Sequence, residues 1–454
     1  MSKPTGSGAR DLAREVLRRV EQGGAYASLA LDAALERAGL SPADRGLCTE
    51  IVYGVLRHRT RVDRALAAHA PRGLGKLSPG ALVALRVGAY QLLLTRVPAH
   101  AAVDDAVRAV TAVAGPAVGR FANAVLRKLS TDGEPAPPPA TDVVAVLEAV
   151  HSFPRWLGNR IVAAVGKGEA IAAAEAMNRP PAVALRASLD RTTRETLAER
   201  VAGERPDAEL TPSPLAPEAL LVRGGGAPES LSAFQEALCT VQDVAAQLVG
   251  RLCGAAPGEH ILDACAGVGG KSTHLLQLAR AAGGEARVDA ADLSRRKLDL
   301  GEDAARRLGL AGSLRSFELD LADPAALART LAPAYDRVLL DAPCSGLGVL
   351  RRHPESKWRR GEADVAELSR LQARLLDAVS AHVRPGGVLV YSVCTFTEEE
   401  GTKQVDRFLA AHPEFRLDPI AADAPYADPR GFLRTWPHRH DADAFFAARF
   451  LRAA

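Results

Sequence analysis

The sequence contains no apolar run long enough to cross a membrane. Its longest stretch without a charged residue covers residues 385–397, thirteen positions that include Pro-Gly-Gly. A membrane-spanning helix needs about 20 predominantly apolar residues. The first ten residues, MSKPTGSGAR, also lack the apolar segment of a secretory signal. We therefore expect no membrane association and a cytoplasmic location.

Cysteine is scarce, and its spacing does not indicate a metal site. The six cysteines include no C-x-x-C pair, a spacing typical of zinc ligands, so no bound metal is expected. In the cytoplasm these thiols should be reduced. Cys48, Cys239 and Cys253 are predicted to be small buried side chains.

The composition excludes a chain that is disordered as a whole. Apolar residues make up 47% and charged residues 24% of the 454 positions, whereas disordered chains combine few apolar residues with a high net charge. At about 150 residues per domain, this length predicts two or three domains. We expect a monomer.

The net charge of +3 conceals an uneven distribution. Residues 1–130 hold 19 Lys and Arg against 10 Asp and Glu, so the remainder of the chain is net acidic. A basic domain favours a polyanion such as a nucleic acid as its partner, although a solvated basic surface has the same composition. Charge alone does not distinguish RNA from DNA.

Apolar residues recur at helical spacing from residue 10 to residue 129. This spacing predicts an all-helical domain over residues 1–131. Ser41 and Ser78 are each followed by Pro, which predicts that both are N-caps of helices. The proline-rich stretch that follows predicts a stiff linker over residues 132–140.

The rest of the chain mixes helical segments with short apolar runs. Residues 141–235 are predicted to form a small mixed α/β module with a strand over residues 182–187. In residues 236–454 the apolar runs alternate with helices and fall at residues 260–264, 287–292, 336–341 and 387–392. This alternation predicts a Rossmann-like, mostly parallel α/β sheet, whose ligands bind at the carboxyl ends of the strands.

A glycine-rich turn follows the first of these strands, and three nucleotide chemistries use such a turn. A phosphate-binding P-loop needs Gly five residues before Gly270-Lys-Ser, where this chain has Cys265. A dinucleotide-binding turn needs a third glycine, where this chain has Ser272. Both matches are partial. The third chemistry is the binding of S-adenosylmethionine, which needs close approach to the backbone of the turn.

Acidic residues at the strand ends favour S-adenosylmethionine. Asp292 ends the second strand, where a carboxylate would bind the ribose hydroxyls. Asp320 follows the third strand and is a candidate acceptor for the adenine amino group. Asp341 ends the fourth strand and would face the transferred methyl group. Each acid taken singly is equally well explained as a helix cap or a solvated loop residue.

Two cysteines follow neighbouring strands of the predicted sheet. Cys344 comes after the fourth strand and Cys394 after the fifth, so both thiols should open onto one crevice. Pyrimidine C5 methylation gives such a pair a chemical purpose, because a thiolate that adds to C6 makes C5 nucleophilic. A second group must then remove the C5 proton so that the enzyme thiolate can leave.

The motifs together resemble the bacterial 16S ribosomal RNA cytosine-C5 methyltransferases of the Sun/RsmB type, which carry an N-terminal NusB-like domain. The similarity runs along nearly the whole chain. The stretches that carry it are ACAGVGGK at 264–271, DAPCS at 341–345, RRHP at 351–354, YSVCT at 391–395 with Glu399 and Glu400, FANAVLR at 121–127, HSFPRWL at 151–157, NRPP at 178–181 and VQD at 241–243.

The resemblance implies a NusB-like RNA-binding domain followed by a Rossmann-like class I methyltransferase domain, with small-subunit ribosomal RNA as substrate. It implies that Cys394 is the nucleophile that adds to cytosine C6, and that Cys344 assists proton removal and product release. The residues implied to surround S-adenosylmethionine are Cys265, Ala266, Gly267, Val268, Gly269, Gly270, Lys271, Asp292, Asp320 and Asp341.

The mechanism adds requirements for the substrate. Asp341 would assist attack on cytosine by hydrogen bonding to N3 if it held a proton. Arg351, Arg352, His353 and Trp358 are candidates to hold phosphates and stack on a base, although an exposed basic helix start has the same composition.

The chain departs from the family pattern at four positions. The family usually has Pro where this chain has Val268, Thr-Cys-Ser where it has Val393-Cys-Thr395, and Asn where it has Gly401. No proposed chemical group is missing. Two other hypotheses stay open: a non-catalytic RNA-binding scaffold, and a cytosine-C5 DNA methyltransferase whose nucleophile would be Cys344.

Overall fold

The structure, a computed structural model, describes residues 7–71 and 73–454. The chain divides into two compact units. The first contains the chain up to Arg179 together with Leu350–Arg359, and the second contains Pro180–Val349 and Arg360–Ala454. The chain therefore leaves the first unit, returns to it for ten residues and leaves it again.

Helices build the first unit, and nine of them precede Arg179 within the described residues. They are α1 (Ser7–Gly23), α2 (Ala27–Ala38), α3 (Pro42–Arg57), α4 (Arg59–Ala68), α5 (Pro79–Leu94), α6 (Ala99–Ala114), α7 (Pro116–Asp132), α8 (Val143–Ala149) and α9 (Arg155–Asn178). The side chain of Ser41 accepts a hydrogen bond from the Asp44 amide at the start of α3. Ser78 accepts one from the Ala81 amide at the start of α5. Both predicted N-caps are confirmed.

A small antiparallel sheet opens the second unit. Its elements are β1 (Val183–Ala187), α10 (Arg194–Glu204), β2 (Glu209–Pro212), β3 (Ala219–Arg223), α11 (Ser232–Gln235) and β4 (Cys239–Val241). The strand order is β2-β3-β1-β4. The strand predicted over residues 182–187 is therefore confirmed as β1.

A larger sheet occupies the rest of the second unit. The elements of this part of the chain are α12 (Val244–Cys253), β5 (His260–Ala264), α13 (Gly270–Ala281), β6 (Arg287–Asp292), α14 (Arg295–Arg307), β7 (Leu314–Glu318), α15 (Pro324–Thr330), β8 (Tyr335–Asp341), α16 (Ser356–Arg359, in the first unit), α17 (Glu362–Ser380), β9 (Val383–Val393), α18 (Thr402–Ala411), β10 (Phe415–Leu417), β11 (Leu433–Arg434), α19 (Pro437–His440) and β12 (Phe446–Arg452). Short 3-10 helices cover Pro228–Ser230, Ala311–Ser313 and Leu347–Val349.

The order of the large sheet is β10-β12-β9-β8-β5-β6-β7, and β11 pairs with β12. The strands from β5 to β9 pair in parallel, whereas β12 runs antiparallel to β9. The predicted fold class, a helical N-terminal domain, a small mixed module and a mostly parallel Rossmann-like sheet, is confirmed.

The large sheet is buried on both faces. Successive side chains of a strand point to opposite faces, and Ile261 and Leu262 of β5 are both fully buried. Ile261 packs in a core with residues of α12 and α13, and Leu262 packs in a second core with residues of α17 and α18. Across the described ranges, no helix combines the length and apolar character that a membrane span requires.

Residues 350–359 complete the helical unit. Lys357 Nζ donates a hydrogen bond to the Arg57 carbonyl at 2.8 Å, and Trp358 Nε1 donates one to the Leu56 carbonyl at 2.9 Å. Leu56 and Arg57 end α3, and the final carbonyls of a helix have no partner within it. Side chains from far along the sequence therefore cap this helix.

Lys357 is almost fully enclosed, with 1% of its surface exposed. Its ammonium also donates to Asn178 Oδ1 at 2.9 Å and lies 4.3 Å from the centroid of the Phe153 ring. Burial, followed by the charge of Arg57, holds the pKa of Lys357 well below its ordinary value. This lysine belongs to the interior of the helical unit.

Candidate active site

The turn after β5 has a backbone that only a few residue types adopt readily. Cys265, Gly267 and Gly269 have positive φ angles of 63°, 58° and 73°. The Gly269 amide closes the turn by donating to the Ala266 carbonyl at 3.0 Å. A β-carbon on Gly269 would lie 2.9 Å from the α-carbon of Gly301, so α14 approaches too closely for any side chain.

The same turn offers bare backbone to a ligand. A β-carbon on Gly267 would have no atom within 4 Å, so the backbone there faces open space. Val268, where the family usually has Pro, is 53% exposed at the tip of the turn. The conformation is therefore held by the glycines and by contact with α14, and Val268 does not obstruct it. Such an open cradle fits a nucleotide cofactor.

The structure places the second strand-end acid against this turn. Asp292 is 7% exposed, and its Oδ2 accepts a hydrogen bond from the Gly267 amide at 3.0 Å. Its Oδ1 accepts one from the Ser294 amide at 2.9 Å. Asp320 is exposed instead, and its Oδ1 accepts from the Ala322 amide at 2.9 Å.

Asp341 forms an ion pair with Lys271 within the site. The Lys271 ammonium donates to Asp341 Oδ2, and the Ser392 hydroxyl donates to Asp341 Oδ1 at 2.7 Å. Burial alone would lower the pKa of Lys271, but the Asp341 carboxylate more than offsets burial and raises it. The pair therefore keeps a positive charge at the start of α13.

Sequence reasoning missed Asp263, a further acid in this region. Asp263 lies in β5, is fully buried, and accepts a hydrogen bond from the Ser272 hydroxyl at 2.5 Å. Burial raises its pKa to about 7. The signal was present in the sequence, because an acid inside an apolar strand run requires a buried partner.

The two candidate catalytic thiols lie together. Asp341 and Ser392 are register partners in the parallel strands β8 and β9, so the loops after these strands leave the sheet side by side. Cys344 Sγ and Cys394 Sγ are 3.1 Å apart and share a hydrogen bond. This hydrogen bond, followed by burial, raises the pKa of Cys344 well above its ordinary value.

The remaining cysteines lie in apolar surroundings. Cys48, Cys239 and Cys253 are buried, as predicted. Burial raises the pKa of Cys48 and Cys239 to about 11 and that of Cys253 to about 12. Cys265, in the glycine turn, also has its pKa raised by burial. These four thiols stay protonated at neutral pH.

The departures from the family pattern around the thiols have structural explanations. Thr395 provides a hydroxyl 2.9 Å from the Ser345 hydroxyl, and Val393 is fully buried among the apolar residues of the sheet. A β-carbon on Gly401 would lie 3.1 Å from the Thr397 carbonyl and 3.3 Å from the Phe446 ring, so little space remains there for a side chain.

The four residues predicted to contact RNA belong to the first unit. Arg351 is 3% exposed, whereas Arg352 and His353 are half-buried. Trp358 uses its indole N–H within the helical unit, and the Arg59 guanidinium lies 5.3 Å from the centroid of its ring. Arg351 is therefore the only buried member of these four residues, and Arg352, His353 and Trp358 are all half-buried.

The fold and the site together define a class. A parallel sheet with an open glycine turn after β5 and acids at its strand ends is a Rossmann-like methyltransferase domain. Three family descriptions match the chain: "16S rRNA methyltransferase RsmB/F" over residues 253–451, "NusB family" over 7–131, and "Methyltr_RsmF/B-like, ferredoxin-like domain" over 153–227. The chain belongs to the RsmB/F family of 16S rRNA methyltransferases, which confirms the resemblance.

Similar proteins match along nearly the whole chain. "Probable ribosomal RNA small subunit methyltransferase B" of Synechocystis sp. is 35% identical over 98% of this chain and 99% of its own length. "Putative methyltransferase Rv1407" of Mycobacterium tuberculosis is 37% identical over 98% of this chain and 96% of its own. A solved structure, "Crystal Structure of PH0851", has a TM-score of 0.81 at 26% identity over 99% of both chains.

Proposed function

We propose that this protein methylates C5 of a cytosine in 16S ribosomal RNA with S-adenosylmethionine as methyl donor. The observation that carries the proposal is the pair of thiols 3.1 Å apart at the ends of β8 and β9, beside Asp341. Pyrimidine C5 methylation needs two groups at one place, one to add and one to remove a proton. The names of the similar proteins support small-subunit ribosomal RNA as the substrate.

The cofactor would lie against the open turn at Gly267, with Asp292 beside the ribose and Asp320 near the adenine. The contact of Asp292 with the Gly267 amide ties this acid to the turn and supports the assignment. S-adenosylmethionine, when bound, supplies an electrophilic methyl group. Lys271 follows this turn and pairs with Asp341, which lies three residues before Cys344 in the sequence.

The two cysteines act in sequence in this proposal. The Cys394 thiolate forms a bond to C6, which makes C5 nucleophilic, and C5 takes the methyl group. Cys344 then accepts the C5 proton, the C6–sulfur bond breaks, and the Cys394 thiolate is regenerated. The largest cause of the raised pKa of Cys344 is its hydrogen bond with Cys394. That cause weakens once the Cys394 sulfur is bonded to carbon, so Cys344 releases its own proton to solvent and accepts the C5 proton as a thiolate.

The helical unit would hold the RNA. Its first 130 residues carry the basic excess of the chain, and they contain neither of the paired thiols nor the glycine turn. Arg352 and His353 are proposed to add contacts to phosphates and bases. Trp358 is half-buried and stays a candidate to stack on a base, whereas Arg351 is buried within the unit.

Single cysteine variants test the mechanism. Cys394→Ala should give no methylated RNA and no protein–RNA adduct that survives denaturing electrophoresis. Cys344→Ala should still add and transfer the methyl group, then stall, so that the adduct accumulates while turnover falls about 10²- to 10⁴-fold. Cys48→Ala, which removes a buried thiol from the helical unit, is the control and should behave as wild type.

The outcomes separate the competing hypotheses. A DNA-type enzyme would form no adduct after Cys344→Ala, because that residue would be its nucleophile. A non-catalytic scaffold would form no adduct in any variant and no product in the wild type. An adduct formed by Cys394→Ala would overturn the choice of nucleophile. RNA and DNA oligonucleotides of the same sequence should be compared in parallel.

A further inference from the structure

A buried carboxylate holds the two cysteine loops together. Glu400 is fully buried, and its Oε1 accepts hydrogen bonds from the Ser345 amide at 2.7 Å and from Gln372 Nε2 at 3.0 Å. Its Oε2 accepts from the Ser345 hydroxyl at 2.6 Å and from the Thr397 hydroxyl at 2.8 Å. All four donors are neutral. Burial of a charge is costly unless every oxygen is satisfied, so such a site is built around the carboxylate.

The network of Glu400 reaches the residue after each cysteine. Ser345 follows Cys344 and gives its single hydroxyl hydrogen to Glu400, so the hydroxyl of Thr395 must donate to Ser345 Oγ across 2.9 Å. Thr395 follows Cys394 in the sequence. A chain of hydrogen bonds therefore runs from one catalytic loop through Ser345 to Glu400 and back to the other loop.

Further contacts hold Glu400 and the two loops in register. The Tyr391 hydroxyl donates to the Glu400 carbonyl at 2.6 Å, and Gln372 Nε2 also donates to the Pro343 carbonyl at 2.9 Å. The Gly348 amide donates to the Cys394 carbonyl at 2.9 Å. The loop that carries Cys344 is thus tied to the loop that carries Cys394 at both backbone and side-chain level.

We propose that Glu400 is a positioning residue that sets the separation of the two sulfur atoms, and so allows addition and proton removal to occur on one base. This inference rests on the proposed function for its catalytic meaning, but the geometric part stands separately. Glu400 touches neither sulfur in the described contacts and acts through Ser345 and Thr395. Its role is to align the thiols, as the outer partners of a catalytic group do.

Glu400→Gln tests the proposal, because the amide keeps the shape but places a donor where an oxygen accepted two hydrogen bonds. The separation of the thiols is measured without methylation chemistry, by equilibrium with oxidised glutathione. Two thiols and one oxidised glutathione give one disulfide and two reduced glutathiones. The equilibrium constant of this exchange gives the effective concentration of one thiol at the other. We expect this effective concentration for Cys344 and Cys394 to fall about tenfold or more in Glu400→Gln. Peptide mapping confirms which disulfide has formed.

Activity is measured on the same variants. Turnover should fall about tenfold or more with the Kd for S-adenosylmethionine within about twofold of wild type. Glu398→Gln makes the same chemical change on an exposed side chain of this loop and should leave both readouts unchanged. Thr397→Val removes one of the four donors and should give a smaller change in the same direction, which preserves the test if Glu400→Gln does not fold.

A wild-type effective concentration in folded Glu400→Gln would overturn the proposal. The proposal would also be overturned if Glu400→Gln lowered both the melting temperature and the affinity for the cofactor but left the effective concentration of the two thiols unchanged. That pattern would indicate a structural role only. If the thiol equilibrium shifts as expected while wild-type protein shows no methylation of ribosomal RNA, the alignment by Glu400 stands and the proposed function fails.

Discussion

The ion pair between Lys271 and Asp341 gives a quantitative prediction. Their side chains are 12% and 29% exposed, so Asp341→Asn leaves an ammonium that is nearly buried without its counter-charge. Breaking a fully buried pair costs about 3–5 kcal/mol, and the partial exposure of Asp341 reduces this value. We expect the variant to lose about 2–3 kcal/mol of unfolding free energy at pH 7.

The loss of unfolding free energy in Asp341→Asn should depend on pH, and the direction of this dependence follows from the pKa of Lys271. In wild type the pKa of Lys271 is raised above the ordinary 10.5, so the stability it contributes is fully present below pH 10.5. Without the carboxylate, burial lowers this pKa, and the folded protein binds fewer protons than the unfolded chain. Stability of Asp341→Asn should therefore fall as pH decreases from 10 to 7, by at most about 1.4 kcal/mol per pH unit.

Urea unfolding at pH 7, 8, 9 and 10 measures the difference between the two proteins. Asp406→Asn is the matched control, since Asp406 pairs with Arg430 on the surface with both side chains about half exposed. That control should cost less than about 1 kcal/mol and show no added pH dependence. Parallel pH profiles for wild type and Asp341→Asn would refute the argument that Asp341 offsets the burial of Lys271.

Two further predictions concern binding. Asp292→Ala should weaken S-adenosylmethionine binding about ten- to a hundredfold in calorimetry, because it removes the carboxylate proposed to accept charge-assisted hydrogen bonds from the ribose; unchanged affinity would show that the ribose lies elsewhere. Arg127→Gln with Lys128→Gln, which changes two exposed cations of α7, should weaken RNA binding and reduce the slope of log affinity against log salt by about 0.7–0.9 per lost contact. An unchanged slope would remove this face from the RNA-binding surface.

Several strands of the large sheet can be predicted from local sequence patterns. The predicted runs at 260–264 and 287–292 coincide with β5 and β6, because each apolar run stops at a glycine turn or an acid. The N-caps at Ser41 and Ser78 can also be predicted from the local sequence, since each capping side chain bonds to an amide only three residues away. The proximity of the two thiols followed from the rule that parallel strands end at one edge of a sheet.

Other features depend on contacts that no local pattern records. No local pattern predicts that β12 lies antiparallel between β9 and β10, because the pairing of these strands is decided by distant partners. The hydrogen bond from the Trp358 indole N–H to the end of α3 joins residues 302 positions apart, and no local pattern indicates it. In the sequence Glu400 is one of two adjacent acids, with no sign of its role. Its hydrogen bonds come from residues brought together by the packing of α17 against the sheet.

The return of residues 350–359 to the helical unit has a consequence for synthesis on the ribosome. Lys357 caps a carbonyl 300 residues earlier in the chain, so the end of α3 stays uncapped by this segment while the intervening residues are made. At 5–20 residues per second the delay is about 15–60 s. During that time the end of α3 lacks the hydrogen bonds that Lys357 and Trp358 donate to it. Nascent chains released before residue 359 should therefore carry a helical unit that proteases and chaperones recognise as unfinished.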